Sequence, residues 1–140
     1  MKNLFLFTLA FCFSLSVFSQ KTAVKENLVP SVNGKVYPTN ADVAKSEARS
    51  FKLLEVKNTT AAGSPKQKVV KFVIATRTVD AGGTTFSDKS VTVTGGKFNA
   101  KAIALVSKVK IGVKIYIKDI SVVNAAGKTV KVSGINFTVR

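Results

Sequence analysis

The sequence has 140 residues, of which 22 are Lys or Arg and 7 are Asp or Glu, and its formal net charge is +15 at neutral pH. This length holds a leader and one domain rather than two domains. The absence of His and the presence of a single Cys argue against His-based acid–base catalysis and against thiolate metal sites.

Residues 1–19 have the features of a signal peptide. A short positive start, Met1-Lys2-Asn3, precedes an apolar run from Leu4 to Phe18. That run is shorter than the roughly 18–20 residues that a membrane-spanning helix needs. We therefore predict cleavage after Ser19, which leaves a mature protein without Cys and without a transmembrane segment.

Cys12 leaves one alternative open, because a lipoprotein acceptor site is also built around a Cys. Leu9 and Ala10 fit the first positions of such a site, whereas the bulky Phe11 does not fit the position before the Cys. A lipid anchor there would keep the protein on a membrane.

Residues 20–40 are predicted to form a linker with at most a short strand at Lys35-Val36-Tyr37, because two of the three prolines fall there together with Gly, Ser and Asn. The domain is predicted over residues 41–140. Its first element is predicted to be a short helix over residues 41–48, for which Thr39 or Asn40 can supply the N-cap.

Three strand patterns follow upstream of the C-terminal third. Residues 51–56 are a candidate strand, and the nearly continuous apolar run within residues 67–79 predicts a strand that is covered on both faces. Residues 90–94 alternate in polarity, which predicts a half-buried strand. Gly95-Gly96 then leads to the next element.

A helix is predicted next. Asn99 can cap its first turn, and apolar residues recur at helical spacing at Ala102, Leu105, Val106 and Val109. These four residues are expected to face the core.

A β-hairpin is predicted after the helix. Apolar and polar residues alternate over residues 113–118, and Gly127 in the following turn can take a positive φ without steric cost. In the returning strand the apolar residues move from even to odd positions at Gly134, as a β-bulge would produce.

These elements predict a mainly β protein with five to seven strands and one or two short helices. The connections are too short for parallel crossovers, so the strands should be antiparallel in the main. We predict a single antiparallel β-sandwich of immunoglobulin-like architecture.

The C-terminal stretch also carries an ordered set of residues that resembles a known family. They are Phe98, Lys110, Gly112, Ile115-Tyr116-Ile117, Asp119-Ile120, Gly127, Ile135, Phe137 and Val139. The chain resembles, over roughly its last hundred residues, the C-terminal domain of GldM, a component of gliding motility and type IX secretion. The turn Asn124-Ala125-Ala126-Gly127 departs from the Gly-Pro-Asp-Gly of the family, so a family contact made by the turn itself cannot be assumed here.

The resemblance implies a non-enzymatic module that contacts other proteins of the cell envelope, in the periplasm or after secretion. No catalytic, cofactor or metal residues are predicted. Ser107 and Lys110 match the S-x-x-K spacing of acyl enzymes, but the other motifs of those enzymes are missing and the seven acids are scattered.

The best candidate partner-binding residues are Lys114, Tyr116 and Lys118, which share one face of a predicted strand. A cationic face with a central aromatic can bind an acidic protein or a polyanion. Asp119 interrupts the strand, either as a bulge or lysine partner or as a further contact. Two alternatives remain open: a solvated face without a partner, and a secreted cationic binder of polyanionic glycans or lipopolysaccharide. Specific nucleic-acid binding is not predicted, because no reading motif is present.

Overall fold

A computed structural model describes residues 25–140. The predicted signal peptide and Cys12 lie outside the described residues. The elements are β1 (Leu28–Val32), β2 (Lys35–Val36), β3 (Asn40–Val43), α1 (Lys45–Arg49), β4 (Leu54–Asn58), β5 (Lys66–Val79), β6 (Phe86–Thr94), α2 (Ala100–Ser107), β7 (Lys114–Val123), β8 (Thr129–Val132) and β9 (Ile135–Val139). Neither of these two helices has the length and apolar character that crossing a membrane requires.

The nine strands form one connected, curled sheet in the order β2-β1-β4-β5-β7-β9-β3, with β6 paired to β5 and β8 paired to β7. Every pairing is antiparallel except the parallel pair of β3 and β9. The 14-residue strand β5 joins the two parts of the sheet: it pairs first with β4 and then with β6 along one edge, and with β7 along the other.

The mainly β prediction with two short helices is confirmed, whereas five to seven strands is too few. The immunoglobulin-like sandwich is not confirmed, because β5 continues from one part of the sheet into the other and leaves a single connected sheet.

The core lies inside the curl and contains two groups of aromatic rings. The ring of Phe137 lies 4.9 Å from that of Phe51 and 5.0 Å from that of Tyr37, measured between centroids. The rings of Phe72 and Phe98 lie 5.3 Å apart. Aromatic pairs at these separations add stability beyond that of their buried area.

The helix α2 forms as predicted. The Asn99 side chain accepts a hydrogen bond of 2.9 Å from the backbone N–H of Ala102, which caps the helix. Ala102 and Val106 are fully buried and Val109 is buried just beyond the helix, while Leu105 is half-buried.

The N-terminal part differs from its prediction. Strand β1 lies within the predicted linker and pairs over all five of its residues with β4. Residues 40–43 form β3, with Ala41 and Val43 buried, although a helix was expected over residues 41–48. The helix α1 begins only at Lys45. Pairing with β9 outweighs helix propensity here, because a helix this short is marginal by itself.

A β-bulge lies in β7, as the sequence suggested. Val73 of β5 lies opposite Lys118, and Lys71 lies opposite Ser121, so β7 holds one more residue than β5 between these two pairs. The extra residue leaves Asp119 with a φ of +53°. The buried apolar positions of β7 therefore change from the odd-numbered Ile115 and Ile117 to the even-numbered Ile120 and Val122.

Gly134 sits beside this bulge on the neighbouring strand. A β-carbon added to Gly134 would lie 2.5 Å from the carbonyl oxygen of Ile117, too close for any side chain. No extra residue lies at Gly134 relative to β7, because Val132 pairs with Ile120 and Ile135 pairs with Ile117 in one unbroken register. The apolar positions therefore change parity here together with those of β7, from the half-buried Val130 and Val132 to the buried residues of β9.

Candidate functional site

The predicted partner-binding residues lie together on the outer face of the sheet. In β7, Lys114, Tyr116 and Lys118 alternate with the fully buried Ile115 and Ile117. Both lysines are exposed and Tyr116 is half-buried. The rise of about 3.3 Å per residue in a strand separates the lysine α-carbons by roughly 13 Å, with the tyrosine between them. Their role in binding remains a prediction.

Neighbouring strands extend this face on both sides of Tyr116. One row across β6, β5, β7, β9 and β3 consists of Ser90, Ala75, Tyr116, Asn136 and Asn40. Small side chains at Ser90 and Ala75 leave a shallow depression of about 280 Å³ beside the tyrosine, and Tyr116 and Lys118 help to line it. We call the outer face around this depression the β7 face.

Charge on the β7 face is only partly neutralised. Arg77 donates two hydrogen bonds, of 2.8 and 2.6 Å, to the two carboxylate oxygens of Asp88. These bonds hold the pKa of Asp88 below its ordinary value, and the positive charge of Lys118 acts in the same direction. Within residues 25–140, no carboxylate oxygen lies within 4.0 Å of the amino group of Lys114 or Lys118.

Asp119 lies directly after Lys118 and is exposed as well. Its positive φ belongs to the bulge, so the interpretation of Asp119 as a bulge residue is confirmed. Among the ion pairs of the described residues, none includes Asp119. A contact of its carboxylate with a partner stays a prediction.

The structure adds Arg77, Asp88 and Ala75 to the site. They were missed because they lie on β5 and β6, and the register of these strands against β7 is not evident in the sequence. One signal could have found the ion pair: Gly82-Gly83 marks the middle of a hairpin, and residues 77 and 88 are equally distant from it.

Ser107, from the S-x-x-K match, has a structural role in the helix α2. The hydroxyl of Ser107 donates a hydrogen bond of 3.0 Å to the backbone carbonyl of Ala104, one turn earlier in α2. Such bonds are common for Ser within helices. Over residues 25–140, no group of three or more His, Cys, Asp or Glu side chains is arranged to hold a metal ion.

The chain matches a known protein family. A sequence model described as the GldM C-terminal domain matches residues 29–140, from the second residue of β1 to the residue after β9. The match confirms the resemblance and extends it upstream of residue 41, in agreement with the pairing of β1 in the sheet. No curated protein matches the chain.

Proposed function

The chain belongs to the GldM C-terminal domain family, and from this membership we propose that it acts in the cell envelope as an exported, non-enzymatic protein-interaction module of gliding motility and type IX secretion. The observation that carries the proposal is the family match over most of the chain. The open β7 face supplies a surface on which such a module can dock.

The β7 face suits an acidic patch on a partner protein. Tyr116 offers a half-buried aromatic surface beside a depression, and the amino groups of Lys114 and Lys118 flank it without carboxylate partners among the described residues. Aromatic residues are enriched in the cores of protein interfaces, where charged residues serve mainly orientation and specificity. A partner that presents Asp or Glu side chains around an apolar centre would complement this arrangement.

Export is part of the proposal and rests on the sequence. The positive start, the apolar run and the small residues before Gln20 support a signal peptide over residues 1–19. The domain that remains would work in the periplasm or after secretion.

The test compares binding by two matched charge reversals. In the first, Lys114→Glu and Lys118→Glu are combined; in the control, Lys128→Glu and Lys131→Glu change the net charge equally on exposed positions of the β7–β8 hairpin. Envelope proteins captured by the wild-type protein are identified by mass spectrometry, and their affinities are then measured with purified components. We expect the first variant to lose at least about tenfold in affinity, which corresponds to about 1.4 kcal/mol, and the control to lose little.

Salt separates this function from the polyanion alternative. Binding through a packed protein interface should change little between low and physiological salt, whereas binding to lipopolysaccharide should weaken steeply. Equal affinity of both variants for the captured protein would show that the β7 face is the wrong surface. Retention of lipopolysaccharide alone, lost at physiological salt, would contradict the proposed function.

A further inference from the structure

The outer edge of β6 is unpaired within the described sheet, since β5 is the only described strand that pairs with β6. Two hydrogen bonds fix the direction of its backbone groups. The carbonyl of Thr85, just before β6, accepts from the N–H of Asp80 and so faces β5. The carbonyl of Thr92 accepts from the side chain of Asn99, which lies outside the β5–β6 pair.

Backbone groups reverse direction with each residue of a strand, so these two bonds define which residues face outward. Odd-numbered residues turn their N–H and C=O groups towards β5, and even-numbered residues turn them away. The outward groups belong to Phe86, Asp88 and Ser90. An extended segment can pair with such a row of donors and acceptors.

A groove of about 540 Å³ adjoins this edge, between the ends of β5 and β6 and the segment that follows α2. Its apolar lining includes Leu105, Val79 and Ile111, and the last two are 45% and 68% exposed. Its cations are Lys89, Lys108 and Lys110, and no acidic side chain lines it.

We propose that the β6 edge and this groove together receive an extended segment of a partner protein in which acidic and apolar residues alternate or mix. The segment would add to the sheet as a further strand. Every second side chain of that strand would point to the side on which Ser87 and Lys89 line the groove. Apolar side chains would cover the exposed Ile111, and carboxylates would meet the lysines.

Charge favours an acidic partner over a second copy of the chain. A second β6 edge would bring another Lys89 beside the first, between two molecules in which Lys and Arg greatly outnumber Asp and Glu. A lysine placed near an edge strand is a common obstacle to pairing between identical edges. The carboxylates of an acidic segment would instead be attracted to Lys89. The groove and the main-chain recognition differ from those of the β7 face, although Lys89 borders both cavities.

The experiment selects ten-residue peptides from a random display library on the purified protein. We expect enriched sequences that mix acidic with apolar residues. Fluorescence anisotropy then measures their affinity for Ser90→Pro, which removes an outward N–H and leaves the hydrogen bonds to β5 in place. We expect a loss of at least about tenfold, and a similar loss when the peptide is N-methylated at alternate residues, which requires no change to the protein.

Charge variants complete the design. Reversal of Lys108 and Lys110 to Glu should weaken peptide binding at least about tenfold, whereas reversal of Lys128 and Lys131 should not. Absence of enrichment, enrichment of sequences without acids, or undiminished binding after N-methylation overturns the proposal. Self-association that Ser90→Pro abolishes would also overturn it, in favour of a second copy. Reversal of Lys114 and Lys118 should leave peptide binding intact, so this proposal and the proposed function fail separately.

Discussion

Replacing Gly134 with Ala tests the close approach of the strands beside the β7 bulge. The added methyl group would lie 2.5 Å from the carbonyl oxygen of Ile117 and 3.4 Å from the α-carbon of Lys118. An ordinary contact begins near 3.4 Å, so one backbone must move by about 0.9 Å. The obstacle is main chain, which cannot rotate away as a flexible side chain would.

The expected cost follows from two opposing effects. Overpacking of this kind typically costs about 1–3 kcal/mol, and a rigid backbone neighbour places the cost in the upper half of that range. Replacing glycine also lowers the conformational entropy of the unfolded chain, which stabilises the folded protein by about 0.4–1 kcal/mol. We therefore expect Gly134→Ala to lower the free energy of unfolding by about 2 kcal/mol.

Urea unfolding followed by circular dichroism measures this change as a lower midpoint at an unchanged m value. Gly127→Ala is the matched control: its β-carbon would meet open space, so only the φ of +75° opposes the substitution, at a cost of about 1 kcal/mol. Amide chemical shifts should move at Lys118 and Asp119 in the first variant and not in the second. A Gly134→Ala protein as stable as the wild type would refute the close approach.

Further predictions concern the bulge, the core and acid stability. In urea unfolding, Asp119→Gly should change the free energy of unfolding by less than about 1 kcal/mol. Asp119→Val should lower it by more, because a β-branched residue resists the positive φ at this position. Equal stabilities of the two variants would contradict this prediction. Phe137→Ala should cost about 3–5 kcal/mol in the same assay, since the ring is buried, and a cost below about 1 kcal/mol would argue against its place in the core. A hydrogen bond from Lys35, and to a smaller extent one from Tyr37, lowers the pKa of Glu47 in the folded protein. The ionised carboxylate therefore stabilises the fold at pH values above the unfolded pKa of about 4.3. This stabilisation is lost as the pH falls through the lower folded pKa. The melting temperature of the wild type should therefore fall relative to that of Glu47→Gln as pH drops below about 5, and parallel curves would contradict the shift.

Local signals predicted the parts of the fold that local interactions determine. The Asn99 cap and the Gly127 turn each act within a few residues, and both α2 and the β7–β8 hairpin form where expected. The strands β1 and β3 depend on distant partners instead: Leu28 pairs with Asn58, and Asn40 pairs with Asn136. Nothing near these segments in sequence indicates the pairing, so the local pattern predicts a linker and a helix there instead.

The same distinction applies to the β7 face. Alternation within one strand sufficed to place Lys114, Tyr116 and Lys118 side by side. Their neighbours on β5 required the register between strands. The apolar run of β5 was expected to be covered on both faces, but Val73 is only half-buried and Arg77 is exposed on the outer face. Among the described residues, β5 is flanked on both sides by other strands of the same sheet, and its outer face stays partly open.

The parallel partnership of β3 and β9 has a consequence for how the protein is made. The amide of Asn136 reaches back across 96 positions to the side chain of Asn40, and no other strand of the described sheet pairs with β3. Synthesis must therefore reach Val139 before β3 can form all its pairs with β9. The side chains of Ala41 and Val43 reach their buried positions only after that. Contacts this distant in sequence slow folding, so we expect the pairing of β3 with β9 to be among the last steps in assembling the sheet.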